Sequence, residues 1–147
     1  MPRRSRPKRT TKTVSHRVPP KPASWFCDRG TCRFCGEPII ENGKVNGRKH
    51  WHTPCALVWN VMNNPSEARL HVTRRENFTC EECGYHNVDG RFEVDHIKPL
   101  FEAKGDPTYW QSPNLMLLCL DCHKIKTKAD MIRFRAMITC DDPLTPD

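Results

Sequence analysis

The feature that most constrains this chain is one spacing that recurs four times. Cys32-Arg-Phe-Cys35, His52-Thr-Pro-Cys55, Cys80-Glu-Glu-Cys83 and Cys119-Leu-Asp-Cys122 each hold a pair of metal-competent side chains separated by two residues. That separation lets both members of a pair reach one tetrahedral ion, and two pairs complete its shell. Taken in order, Cys32, Cys35, His52 and Cys55 form one set, and Cys80, Cys83, Cys119 and Cys122 form another. Disulfides are the competing use for nine cysteines, but disulfide frameworks belong to exported chains. The N-terminal MPRRSRPKRTTK is basic with no apolar stretch behind it, unlike a secretory signal. A reducing, cytoplasmic setting and two structural Zn²⁺ ions are therefore expected. Hydrophobic residues make up 37% of the 147 and come in short clusters, a core small enough to need such staples. No run reads as a transmembrane helix, so no membrane contact is expected.

The net charge of +7 is unevenly placed. Residues 1–24 contain eight Lys or Arg, five of the thirteen prolines and no acid, which leaves 16 basic and 17 acidic residues in the rest. A segment of that composition cannot bury enough surface to offset its ordering entropy, and a disordered basic arm is expected over 1–24. Arg3, Arg4, Arg6, Lys8 and Arg9 suit phosphate binding by counterion release, which carries no sequence specificity. A solubilising tail is the alternative.

Residues 25–63 read as a zinc-finger module. Between its knuckles, Glu41-Asn42-Gly43 and Asn46-Gly47 signal a short hairpin. Thr53 as cap and Pro54 at the first helical position then open a helix. Cys27 and His50 are candidate substitute ligands for the same ion, with Cys27 read rather as a spare thiol. The ligand-bearing stretch is similar to finger modules of the LIM and treble-clef type. Asn64-Pro65-Ser66-Glu67 opens a second helix, a connector over 64–77 with Arg69, Arg74 and Arg75 in solvent. Residues 78–140 form the second zinc-bearing domain. Within it Arg91–Asp95 is a short strand, and Lys98–Pro113 is a loop long enough to be functional. A last helix is expected from Leu120 to Ile138. Its residues Cys122, Ile125, Ala129, Ile132 and Ala136 form a buried stripe, beside a second stripe of His123, Lys126, Thr127 and Asp130. Residues 141–147 are an acidic tail.

The stretch Glu93–Thr127 carries groups that neither zinc set needs. Asp95 and His96 stand side by side at the end of the expected strand, and His123 follows Cys122 directly. Strand alternation sends Asp95 and His96 to opposite sides. If Asp95 turns toward His123, those two hold a divalent ion, and His96 is left to deprotonate a water. A carboxylate favours Mg²⁺ or Mn²⁺, and an imidazole favours Ni²⁺ or Zn²⁺. The rival reading makes His96 and His123 surface residues of a non-catalytic zinc adaptor that binds DNA or protein.

Taken together, CEEC, EVDHIKPL, NLMLLC and DCHKIKT over Cys80–Thr127 resemble the HNH endonucleases, a family with the ββα-metal (His-Me finger) fold. The resemblance implies a small, zinc-stabilised α+β protein with a treble-clef-like ββα-metal nuclease core. It implies His96 as general base, Asp95 and His123 as ligands of the catalytic metal, and Asn114 as anchor of the loop that orients His96. It also puts Lys126, with Lys124 nearby, against DNA phosphates. Some members carry a further histidine one turn beyond the position of His123; Thr127 stands there here, which favours Mg²⁺ or Mn²⁺ on two protein ligands. A WHxxC module upstream looks like small HNH proteins of bacteriophages and like the nuclease segment of some annealing helicases. The phage likeness fits a free-standing chain better, and would place it in the host cytoplasm. The expected function is a metal-dependent endonuclease that nicks double-stranded DNA to 5′-phosphate and 3′-hydroxyl ends. Phage DNA processing or packaging is the expected setting, with a homodimer or a packaging protein as further partners.

Overall fold

The computed structural model describes residues 18–140. Arg3, Arg4, Arg6, Lys8 and Arg9, and the acidic tail 141–147, lie outside the described residues. The last part of the expected arm lies inside them, and it is packed. Pro19 is buried, and the Ser24 hydroxyl donates to the Arg33 carbonyl at 2.8 Å. The boundary of the arm at residue 24 is therefore corrected: 18–24 packs on the body, with Lys21 Nζ 5.1 Å from the centre of the Trp25 ring. Trp25 sits 5.0 Å from Trp59 and 5.6 Å from Trp51, ring centre to ring centre.

One zinc-finger plan is built twice. In Thr31-Cys-Arg-Phe-Cys-Gly36 and in Thr79-Cys-Glu-Glu-Cys-Gly84, the glycine N–H donates to the first cysteine's carbonyl at 2.9 Å. The first cysteine's N–H in turn donates to Glu37 O at 2.9 Å or Tyr85 O at 2.8 Å. Gly36 and Gly84 hold φ of 78° and 75°, where any side chain would strain the turn. Each knuckle leads to a two-stranded antiparallel sheet and then a helix whose start carries the second ligand pair. In the first unit, β1 (Ile40–Glu41) and β2 (Lys44–Val45) are joined by Asn42 and Gly43 at φ 51° and 74°, the left-handed pair expected of an Asn-Gly hairpin. Helix α1 (Thr53–Asn63) starts one residue earlier than expected, with His52 rather than Thr53 as its N-cap. His52 is turned to the sulfur cluster, so Thr53 is already helical and caps nothing.

Helix α2 (Pro65–Arg75) is capped by Asn64, whose Oδ1 accepts from Ser66 N at 3.0 Å. Expected as a connector, it contributes Ala68 and Val72 to the core formed by Phe92, Leu115, Leu117 and Leu118. In the second unit, β3 (Phe92–His96) pairs antiparallel with β4 (Leu115–Cys119), from Phe92 opposite Cys119 to His96 opposite Leu115. Leu117 and Leu118 point to opposite faces, yet both are fully buried, because α2 and α3 both pack on this sheet.

Helix α3 (Leu120–Cys140) presents the reverse of the expected face. Ile125 and Ile132 are 69% and 68% exposed, and Ala129 and Ala136 are exposed with them. The side turned to the body is the half-buried series His123, Lys126, Asp130 and Phe134. Periodicity shows which residues share a face, not which face turns inward. Here Cys122 is tied to the knuckle and Phe134 stacks 5.0 Å from Phe101, and these two contacts set the rotation. Residues 98–113 are three short 3₁₀ turns rather than open loop. Ala103 and Trp110 from this stretch bury against Met62, a second core that joins the loop to the first zinc unit.

Candidate metal centres and catalytic cleft

The two sulfur clusters are composed as the spacing requires. The ligand atoms of Cys32, Cys35, His52 and Cys55 lie within 4.8 Å of one another, as do those of Cys80, Cys83, Cys119 and Cys122. A tetrahedral ion with bonds of about 2.3 Å sets its sulfurs roughly 3.8 Å apart, and Cys83 Sγ lies 3.8 Å from Cys119 Sγ. His52 Nε2 donates to the Pro38 carbonyl at 3.2 Å. A carbonyl only accepts, so the proton is on Nε2, and Nδ1, 3.5 Å from Cys35 Sγ, keeps its lone pair for a metal. Burial alone would raise the Cys32 thiol, but the N–H groups of Cys35, His52 and Phe34 outweigh it and bring it to about 6. Cys80 is brought to about 7 against its own burial by the N–H groups of Cys119, Cys83 and Glu82. Burial, then the sulfurs of Cys32 and Cys35, push Cys55 up to about 12. Each cluster thus has one thiol held toward thiolate, Cys32 or Cys80, and one pushed the other way, Cys55 or Cys122, the latter by the Cys119 sulfur and then by burial. Zn²⁺ fits both. Cys27 is outside the set, with its thiol donating to Thr31 O at 3.3 Å, and His50 is outside it as well.

Between β3 and α3 lies a cavity of about 470 Å³, lined by Asp95, His96, His123, Thr127, Asp130 and Phe134 among others. The end of β3 delivers the first two, and the first turn of α3 delivers His123. Asp95 Oδ1 accepts the His96 backbone N–H at 2.7 Å, which turns Oδ2 toward α3. There Oδ2 sits 3.8 Å from His123 Nε2 and 3.5 Å from Lys126 Nζ. Lys126 Nζ is also 2.5 Å from Asp130 Oδ2, one turn further along the helix. Lys124 is exposed. The divergence expected of Asp95 and His96 is partial: both line this cavity, and His96 alone of the two also borders a smaller one of about 250 Å³ beside Trp110. Burial pushes His96 below the ordinary imidazole range and Lys126 adds to this, while Asp95 pulls the other way. His96 is therefore neutral, and able to accept a proton, at neutral pH.

One carboxylate oxygen and one imidazole nitrogen converging on an open cavity suit a divalent ion that keeps positions for water and phosphate oxygens. Among the described residues, the gatherings of three or more ligand groups are the two zinc sets alone. Thr127 adds a wall to the cavity but no charge.

Asn114 ties down the chain just beyond His96. Its Oδ1 accepts Lys98 N at 2.9 Å, and its Nδ2 donates to Lys98 O at 3.0 Å and Tyr109 O at 2.8 Å. Arg75, expected in solvent, braces the same turn from α2. It donates to Ser112 O at 2.7 Å, Ser112 Oγ at 3.0 Å and Leu115 O at 2.7 Å, the carbonyls that flank Asn114. Nothing in its local sequence marks that role, because its partners are distant in the chain. Asp130 was visible as a member of the His123 stripe, four residues from Lys126, but the place of this pair across from Asp95 appears only in three dimensions.

Residues 80–129 match the family described as HNH endonuclease. A "Probable HNH endonuclease" of Lactococcus phage SK1 is 41% identical over 61 residues, 40% of this chain and 64% of that protein's length. No solved structure matches. The cluster Cys80, Cys83, Cys119 and Cys122 and the cleft residues Asp95, His96, Asn114 and His123 all fall within the matched span. The likeness to HNH endonucleases is thus one of residues 80–129, the span that builds the cleft.

Proposed function

We propose that the chain is a metal-dependent endonuclease that nicks double-stranded DNA. One observation carries the reading: Asp95 Oδ2 and His123 Nε2 face each other at 3.8 Å across a cavity that a half-buried, neutral His96 also lines. Asp95 and His123 would hold a Mg²⁺ or Mn²⁺ ion, which when bound supplies charge stabilisation to the phosphate and to the departing oxygen. His96 takes a proton from a water, whose oxygen then attacks phosphorus in line with the 3′ oxygen. The P–O3′ bond breaks and the departing O3′ takes a proton from solvent water, leaving a 3′-hydroxyl and a 5′-phosphate. Asn114 keeps His96 oriented through Lys98, and Arg75 braces Asn114.

One such cleft among the described residues predicts single-strand nicks; Ala56 in the first zinc unit stands where His123 stands in the second. A double-strand break takes a second copy or a second encounter. The phage relative supports phage DNA processing or packaging as the setting. The phosphate contacts are assigned to Lys124 and Lys126 on α3 and to Arg3, Arg4, Arg6, Lys8 and Arg9 of the arm. Among the described residues no helix is long and apolar enough to cross a membrane. Supercoiled plasmid incubated with the protein and Mg²⁺ or Mn²⁺ tests the reading. Nicked circles that a polymerase can extend directly are expected. Intact plasmid, or ends that need a phosphatase before extension, would contradict it.

A further inference from the structure

We infer that Lys126 is a built-in counter-cation on Asp95 that a divalent metal has to displace, and that Asp130 is the positioning residue that draws Lys126 aside. The inference rests on the metal reading of Asp95 and His123 above.

Asp95 turns one oxygen toward α3. Oδ1 accepts the His96 N–H at 2.7 Å and is turned back toward the strand, so Oδ2 is the oxygen that meets a cation beside His123. Two positive groups converge on it: whatever His123 Nε2 helps to hold, 3.8 Å away, and the Lys126 ammonium, 3.5 Å away. The side chains of Lys126, Asp95 and Asp130 are 18%, 21% and 26% exposed, so water screens these charges only in part. A divalent ion on Oδ2 must push the ammonium off that oxygen and then coexist with it a few ångström away. Asp130 reduces both costs. Its carboxylate is the nearer partner of Lys126, at 2.5 Å, and sits at the i,i+4 position on α3, where it can keep the ammonium after Asp95 lets go. The other charged or titratable groups at this end of the cavity are His96 and His123, and neither is an alternative anion for Lys126.

Removing the ammonium therefore tightens metal binding, and removing the Asp130 charge weakens it by leaving Lys126 entirely to Asp95. Mn²⁺ binding to zinc-replete protein without DNA, followed by electron paramagnetic resonance, reads this directly, and Asp95→Ala identifies the site. Lys126→Met should bind Mn²⁺ about tenfold tighter, and Asp130→Asn about fivefold weaker, for charges this close and this poorly screened. In the Lys126→Met background the Asp130→Asn effect should shrink to a small remainder, because its route runs through Lys126. If Lys126→Met fails to retain zinc, Lys126→Gln serves in its place. Mn²⁺ binding that Asp95→Ala does not abolish would overturn the metal reading and this inference together. Asp95-dependent binding that the lysine variants leave unchanged or weaken would overturn the inference alone. An Asp130→Asn effect of equal size in both backgrounds would remove Asp130 from the device.

Discussion

Replacing Asn114 with aspartate exchanges one NH₂ for an oxygen and tests how the cleft is held. In the folded chain the amide makes one acceptor and two donor bonds, at 2.9, 3.0 and 2.8 Å. Aspartate keeps the first. It loses the other two and sets a carboxylate oxygen against the carbonyls of Lys98 and Tyr109. Two neutral hydrogen bonds contribute about 2 kcal/mol net. The opposed oxygens add to that, although Asn114 is only half-buried and water can relieve some of the cost. A loss of about 2–4 kcal/mol in urea unfolding is expected. Nicking under single-turnover conditions should fall by about 10²-fold, the usual consequence of displacing a catalytic group by an ångström. Asn114→Ala loses all three bonds but creates no repulsion, so wild type should be the most stable of the three, then alanine, then aspartate. An aspartate variant as stable and as active as wild type would refute the tie between Asn114 and the His96 loop.

Arg75→Ala should destabilise the chain by about 2 kcal/mol, through loss of charged bonds to two carbonyls at a partly exposed site. It should also slow nicking more than Arg75→Lys; equal rates for the two variants would show that the brace does not reach the cleft. Metal analysis should find two zinc ions per chain, and Cys119→Ser should lose one and unfold the second unit, since structural zinc contributes about 10–16 kcal/mol to folding. Retention of both ions by that variant would disprove the second ligand set. Deleting residues 1–17 removes Arg3, Arg4, Arg6, Lys8, Arg9, Lys12 and Arg17 while keeping the packed segment from Val18 onward. The log–log salt dependence of DNA binding should flatten by about 0.9 for each phosphate that the arm neutralises, with thermal stability unchanged. An unchanged slope would show that the arm binds no phosphate.

Both zinc sets were legible in the sequence, because knuckle spacing is a local constraint and the chain has few other ways to use it. The Asn42-Gly43 turn, the Asn64 cap and the strand that ends in Asp95 and His96 were legible for the same reason. What escaped depends on partners far apart in the chain. The rotation of α3 follows from the Cys122 tie and the Phe101–Phe134 contact, so its apolar stripe, expected inward, faces out. Helix α2 read as a connector because two buried residues, Ala68 and Val72, make a weak pattern, yet both lie in the core beneath β3 and β4. The family resemblance made Lys126 a phosphate contact. Its i,i+4 pairing with Asp130 follows from helical spacing, but the approach of its ammonium to Asp95 Oδ2 belongs to the folded cleft alone.

Nothing tests His96 as the base of a metal-charged cleft more directly than one paired comparison. Wild type and His96→Ala, each shown to carry two zinc ions, are incubated with supercoiled plasmid and Mg²⁺ or Mn²⁺ at low salt. Metal-dependent nicked circles from wild type and none from the variant are expected, with DNA binding alike in both. Equal cleavage by the two proteins, or none by either, would contradict it.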